Sequence, residues 1–372
     1  MNIIGYVKKY KNKSFEELPF NDIDSLIFSE IAYINFDEVA PKGKFIKLKN
    51  LEVKNPKSFY YGSVDYKQNR TLLRLMKNSK RYEDLKIGNA VNVFLKGEFK
   101  EQFFAITIIF PNKDVYISYR GTDITLLGWE EDFSMIYKDT FPSQLRAITY
   151  FNDSVKYITN NFYLGGHSKG GNLSFHVAVN MDKEFNHKLI KAYSFDGPGT
   201  KFDLDSFPNY KGVKTKFQKF LTSNDIVGVI YNKIDKCKVV FATGLLLGGH
   251  DPFTWKVKNS KPEFLIIKDR TAFSKNHEEA ITKWLSHMSN EDKELACKII
   301  FTFFSDSKTV YDLIGNVIHN LAIKRSKMFK GLTKDEKDRA KVIFSKLLRY
   351  YMKSYSPFNP RKKEPILIEN KS

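Results

Sequence analysis

The sequence predicts an α/β fold: a mostly parallel central sheet flanked by helices, with a helical region added toward the C-terminus. Three observations lead there. β-rich runs at 115–119, 162–164, 189–195 and 216–221 are interleaved with helical patterns, as β-α-β crossovers require. Residues 161–175, Asn-Phe-Tyr-Leu-Gly-Gly-His-Ser-Lys-Gly-Gly-Asn-Leu-Ser-Phe, read as a strand, an abrupt turn at Ser168 and a helix. From 276 to 351 strand signals fall away, and helical runs at 278–288, 292–304, 310–323 and 334–352 take over.

Composition narrows the class. A chain of 372 residues has room for one large α/β domain with additions or for two domains, and 42% hydrophobic with 15% aromatic content describes a packed protein. The organisation expected is a main domain over 1–275, a helical extension over 276–352 and a basic, flexible tail over 353–372 containing Pro357, Pro360 and Pro365. Cys237 and Cys297 lack metal-ligand spacing, so neither a zinc site nor a disulfide framework is expected and a reducing, cytoplasmic setting fits. The start carries no secretory pattern, and the best apolar runs, 103–110 and 239–247, fall short of the roughly 18 residues a membrane span needs. The formal charge of +19 comes from lysines scattered along the whole chain. That reads as a solvated surface and argues against a nucleic-acid partner, while it would favour peripheral contact with an anionic membrane such as the inner membrane surface. Nothing in the sequence specifies an oligomeric state.

In chain order, residues 21–35 predict a helix capped by Asn21 or Asp22, with Ile23, Leu26, Ile27 and Ile34 on one side, covering one face of the sheet. Residues 41–69 are polar and irregular, and 70–78 and 81–87 suggest short helical pieces. Runs 103–110 and 115–119, joined by Pro-Asn-Lys-Asp, predict a hairpin. Segment 124–141 mixes Leu126, Leu127, Trp129, Phe133, Met135 and Ile136 with acids. It reads equally as a mobile cover or as a packed loop and short helix. Residues 143–160 predict the helix that leads into the strand before Ser168.

Chemistry concentrates at Ser168. Gly166-His167-Ser168-Lys169-Gly170 fits the G-x-S-x-G nucleophile elbow, whose glycines allow close contact with the neighbouring strand and helix. The helix N-terminus behind Ser168 points the Lys169 N–H at any oxyanion formed there, and Thr122, in the loop after strand 115–119, is placed to supply a second donor. Two later strands end in acids, Asp196 and Asp225, and His250 follows a third on a Gly-flanked loop. Taking Asp225 gives the order Ser168, Asp225, His250 of an α/β-hydrolase triad; Asp196 is the alternative acid, and its other reading is a turn residue.

Tyr-Arg-Gly-Thr at 119–122, Gly-His-Ser-Lys-Gly at 166–170, Ser-Asn-Asp-Ile-Val at 223–227 and His250 resemble the motif series of the fungal-type, class-three lipases. Leu-Pro-Phe-Asn-Asp-Ile-Asp-Ser-Leu-Ile near the start, Trp-Glu-Glu-Asp-Phe at 129–133, Gly-His-Ser-Lys-Gly-Gly-Asn and His-Asp-Pro-Phe-Thr-Trp at 250–255 are more closely similar to a bacterial family of Mbeg-like α/β-hydrolases. The resemblance covers most of 1–290. It implies an α/β-hydrolase fold, a Ser168, Asp225, His250 triad, and an oxyanion hole at Thr122 and Lys169. Asp196-Gly197 is similar to the Asp-Gly of patatin-like hydrolases, but Pro198 departs from that pattern. The function expected is a serine hydrolase of the lipase or esterase type, acting on a small-molecule or lipid ester without metal or organic cofactor. An acyltransferase using the same triad, or a non-catalytic binding protein on the hydrolase fold, are the alternatives.

Overall fold

The computed structural model describes residues 1–354 apart from 61–64, 98–99, 124–125, 245–246, 305–328 and 330. The helical run expected at 310–323 and residues 355–372 of the tail lie outside the described residues.

Among the described residues nine strands form one sheet in sequence order: β1 (Phe45–Lys47), β2 (Lys86–Leu95), β3 (Glu101–Ile109), β4 (Val115–Tyr119), β5 (Phe162–His167), β6 (Leu189–Phe195), β7 (Phe217–Thr222), β8 (Lys238–Val240) and β9 (Ile266–Ile267). The block from β4 to β8 is parallel, while β1 to β4 and the β8–β9 pair are antiparallel. The sheet is therefore mixed, with its parallel part at the centre. With helices on both faces of this sheet, the fold is of the α/β class.

Side-chain alternation builds the two faces. Phe103, Ala105, Val115, Ile117 and Tyr119 pack under helices Pro142–Ser154 and Lys169–Asn180. Phe104, Ile106, Ile108 and Tyr116 point the other way, toward helices Ile3–Tyr10, Asp22–Ile31 and Tyr66–Lys77. Strands buried on both sides read as continuous apolar runs, which is why β3 and β4 stand out in the sequence. The turn between them is the expected hairpin, with Lys113 at φ 71°.

Two expectations need correcting. The helix predicted over 21–35 stops at Ile31, and every residue from Ile23 to Ile31 is buried, including Asp24, Ser25, Ser29 and Glu30. Its polar groups are satisfied inside the protein: Ser25 and Ser29 share the Tyr116 hydroxyl at 2.8 and 3.1 Å, and Phe28 C=O accepts from Ser118 Oγ at 2.9 Å. The piece expected to be helical at 81–87 leads into β2, whose pattern is broken by a bulge between Gly88 and Val91. Gly88 is needed there because a Cβ would lie 2.1 Å from Lys44 O.

The C-terminal helices Ala272–Ser286, Asn290–Phe304 and Lys334–Ser354 share a core of their own around Trp284, Leu295, Ile299, Ala340 and Ile343, joined by Ile136. The boundary expected at 275/276 falls inside the first of these helices. No helix among the described residues is long and apolar enough to cross a membrane.

Asp24 ties the N-terminal helices to the sheet. Its carboxylate accepts from Arg81 Nε at 2.9 Å and Tyr82 Oη at 2.6 Å, and both charged side chains of the Asp24–Arg81 pair are fully buried. Removing one partner strands the other charge in the core. Asp24→Ala is expected to cost about 3–5 kcal/mol of stability in denaturant unfolding, with Arg81→Ala comparably damaging.

Candidate active site

The chain leaves β5 at His167, turns through Ser168 at φ 57° and ψ −130°, and enters helix Lys169–Asn180 at once. A non-glycine residue held at positive φ stores roughly 1–3 kcal/mol of strain, which the surroundings must over-determine. Backbone contact supplies that constraint. A Cβ on Gly166 would lie 2.3 Å from Gly170 C, and one on Gly170 would lie 2.0 Å from Tyr119 O. The elbow helix thus rests directly on the end of β4. The loop leaving β4 crosses close above: a Cβ on Gly121 would meet Ser168 Cβ at 3.0 Å and Tyr33 Oη at 2.1 Å.

Thr122 lies in that loop and Lys169 opens the elbow helix, each with a backbone amide. Neither N–H donates to another described residue. Their side chains turn to a different task. Thr122 Oγ1 donates to Asp132, and the buried Lys169 ammonium donates to Glu131 Oε2 at 3.0 Å and Gln102 O at 2.8 Å. Glu131 also accepts from Ser143 Oγ at 2.7 Å and Gln102 N at 3.1 Å. Burial raises Asp132 to about 6, opposed by the Lys169 charge. Segment 124–141 therefore contains a helix, Leu126–Ser134, fastened to the elbow by a buried ion pair, so in this structure it is packed in place. Residues 124–125 of that segment, and Leu245 and Leu246 beside His250, lie outside the described residues.

His250 ends the short helix Leu247–His250 and is largely enclosed, its side chain 13% exposed. Its Nδ1 pairs with Asp196 Oδ2 at 2.6 Å. The acid expected in that position, Asp225, makes no hydrogen bond to His250; it lies behind Asp196 and is itself buried. The reason is local. Asp196, the residue after β6, takes φ 51°, and Gly197 then presses against Ser168 O, with its Cβ position 2.7 Å away. This turn brings Asp196 beside the end of β5, whereas Asp225 follows β7, one strand further out. Burial pulls His250 down to about 4 and raises Asp196 to about 6; it also raises Asp225 well above the carboxylate range, helped by the proximity of Asp196.

Two residues that sequence reasoning did not assign complete the arrangement. His167 Nε2 bonds to the His250 carbonyl at 2.8 Å, so it is the protonated nitrogen, and its Nδ1 accepts from Tyr33 Oη at 3.1 Å. Burial, then His250, holds His167 well below its usual pKa, in keeping with a neutral ring. The His167 and His250 rings lie 4.4 Å apart. His167 was visible as an elbow position, but nothing in the sequence connected it to Tyr33.

Ser168, Thr122, Lys169, Asp196 and His250 thus collect at the C-terminal ends of the parallel strands, where open α/β sheets place their ligands. The Mbeg1-like family model matches residues 76–302, a span that contains all five. The chain belongs to the Mbeg1-like family. Similar solved structures include M37 lipase, at 17% identity over 57% of this chain and 70% of that one, with a TM-score of 0.37. A mutant form of MDLA from Penicillium cyclopium matches at 12% identity over 65% and 82% of the two chains, TM-score 0.37. The Rhizomucor miehei lipase propeptide complex matches at 16% identity over 44% and 58%, TM-score 0.28. No curated protein matches the chain.

Gly170→Ala tests the elbow packing, since the added methyl meets the Tyr119 carbonyl rather than a flexible side chain. A loss of at least about 1–3 kcal/mol in thermal or denaturant unfolding is expected; an unchanged midpoint would contradict the close contact.

Proposed function

We propose that this Mbeg1-like protein is a serine hydrolase of the lipase or esterase type, cleaving a carboxylic ester through an acyl-enzyme on Ser168. The observation that carries the reading is the combination of a strained serine, two nearby amides with no partner among the described residues, and a buried His250–Asp196 hydrogen bond. With Nδ1–H donated to Asp196, the lone pair of His250 lies on Nε2, the tautomer a general base needs.

The steps follow from those groups. Ser168 Oγ attacks the ester carbonyl as His250 Nε2 takes its proton, and the Lys169 and Thr122 amides stabilise the oxyanion of the tetrahedral intermediate. Collapse breaks the bond to the alcohol, which leaves with the proton from His250. Water then attacks the acyl-Ser168, giving a proton to Nε2; collapse of the second tetrahedral intermediate breaks the bond to Ser168 Oγ, which takes that proton back from His250 as the acid is released. Asp196 offsets the positive charge on the imidazolium each time it forms. An alcohol in place of water would give acyl transfer by the same route. The charge of +19 suits a lipid substrate presented at an anionic surface.

A fluorophosphonate probe is expected to label the wild type, with labelling abolished in Ser168→Ala and slowed by roughly 10³-fold or more in His250→Ala. Absence of wild-type labelling, with the protein folded, would overturn the reading. A panel of acyl esters, with and without added alcohol, then separates hydrolysis from transfer.

The pH dependence has a definite sign. Protonated His250 has no lone pair to accept the Ser168 proton, so the labelling rate is lost on the acid side. Because burial disfavours charge on both members of the His250–Asp196 couple, the rate is expected to climb between about pH 4 and 6 and to be level at neutrality.

A further inference from the structure

We propose that Asp225 is a protonated carboxylic acid that donates a hydrogen bond to Asp196, so that the two side chains carry one negative charge between them and present it to His250. Asp225 would then be a positioning residue, acting through Asp196.

The geometry at Gly228 leads to this. Asp196 Oδ1 and Asp225 Oδ2 converge on the space a Cβ of Gly228 would occupy, each 2.7 Å from that point. The two carboxyl groups stand within hydrogen-bonding reach of each other. Both residues are buried, Asp196 at 0% and Asp225 at 1% exposure. Neither oxygen of Asp225 has a donor among the described residues, whereas Asp196 is paired with His250 at Oδ2 and is also reached by the Gly228 N–H. Two ionised carboxylates in so dry a place would repel, and Asp225 would lack a donor; one shared proton removes both penalties.

The surrounding charges do not supply an alternative. Lys219 on β7 directs its ammonium to Gly228 O at 2.8 Å and Asn232 Oδ1 at 3.0 Å, and burial lowers its pKa. Arg270 pairs with Glu278 and bonds to Ser274 Oγ at 2.9 Å. His277 Nε2 donates to Ile226 O at 3.0 Å, and the Cys237 thiol to Ile234 O at 3.0 Å. None of them forms an ion pair or hydrogen bond with Asp196 or Asp225. Burial pushes Asp225 up first and Asp196 adds to it, while a hydrogen bond from Asp225 pulls Asp196 down.

The consequence for the reaction rests on the hydrolase reading, but the shared proton does not. A carboxylate stripped of water tends to protonate, and Asp196 protonated could no longer offset the imidazolium. The Asp225 hydroxyl keeps that charge on Asp196 by bonding to its ionised form. Gly228 is the residue that lets the pair meet.

The test uses the full chain with Asp196→Asn, Asp225→Asn, Asp225→Ala and Gly228→Ala, each checked for folding by circular dichroism. In infrared difference spectra at pH 7, wild type minus Asp225→Asn should show the carbonyl band of a protonated carboxylic acid. A carboxylate band in its place overturns the proposal whether or not the protein is an active hydrolase. In fluorophosphonate labelling, Asp196→Asn should lose roughly 10³- to 10⁴-fold. Asp225→Asn, whose amide still donates, should lose about tenfold or less. Asp225→Ala and Gly228→Ala should move the acid limb of the pH profile upward by about one unit. Asp225→Asn as damaging as Asp196→Asn would make Asp225 the acid that faces His250 and overturn the proposal. An unlabelled wild type that still shows the acid band would remove the hydrolase reading and leave the shared proton standing.

Discussion

Backbone pressed on backbone organises this molecule. The elbow helix approaches the Tyr119 carbonyl so closely that Gly170 has no room for a methyl group, and Gly166 is equally confined between that carbonyl and the helix. One contact brings together the end of β4, the end of β5 and the first turn of helix Lys169–Asn180. From it follow the positive φ of Ser168 and the position of the Gly121–Thr122 loop above it. Strain at the serine is tolerable because the layers on both sides are already packed: Tyr119 and Leu173 in one core, Tyr116 and Phe195 in the other. The sheet is therefore the source of the geometry, and the site is where its parallel strands end.

Around that contact the polar groups are arranged in dry pairs. Lys169 forms an ion pair with Glu131, and the neutral His250 donates Nδ1–H to Asp196. A buried ion pair such as Lys169–Glu131 adds little net stability, yet breaking it leaves an unpaired charge at a cost of about 3–5 kcal/mol. This has a bearing on access. Swinging helix Leu126–Ser134 away would expose Lys169 and uncouple Thr122 from Asp132, so that helix behaves as part of the site's wall. Substrate entry that leaves Glu131 in place avoids this cost.

Much of this was legible in the sequence because the responsible patterns are short and local. The G-x-S-x-G turn, the apolar runs of β3 to β7 and the Pro-Asn-Lys-Asp hairpin each announce themselves within a dozen residues. What escaped depends on distance in space. β2 was hidden because its alternation is interrupted at Gly88 and Asn89, where the strand bulges against Lys44. The helix ending at Ile31 looked amphipathic, but the serines and acids on its polar side are met by Tyr116, Arg81 and Asn69 from far along the chain. Chain order favoured Asp225 over Asp196, since both follow strands and precede His250. Only the φ of 51° at Asp196 turns it toward the imidazole.

The second acid connects the site to the C-terminal helices. Asp225 C=O accepts from Ser274 Oγ, Ser223 C=O from Thr271 N at 2.8 Å, and Asn224 Oδ1 from Thr271 Oγ1 at 3.0 Å. The first turn of helix Ala272–Ser286 thus grips the loop that carries Asp225, and the same helix anchors the separate core around Trp284. Asn224 reaches across from that loop to Gly244 O at 3.1 Å, on the segment leading to His250. The helical region is therefore coupled to the position of Asp225 and to the segment leading to His250, although none of its described residues hydrogen-bonds to Ser168, Asp196 or His250. A displacement of helix Ala272–Ser286 would first be felt at Asp225, through a hydroxyl and a backbone carbonyl. It would reach His250 by way of Asp196 and, through Asn224 and Gly244, along the segment that leads to His250. That ordering explains how an added helical layer can sit outside the sheet and still belong to the site.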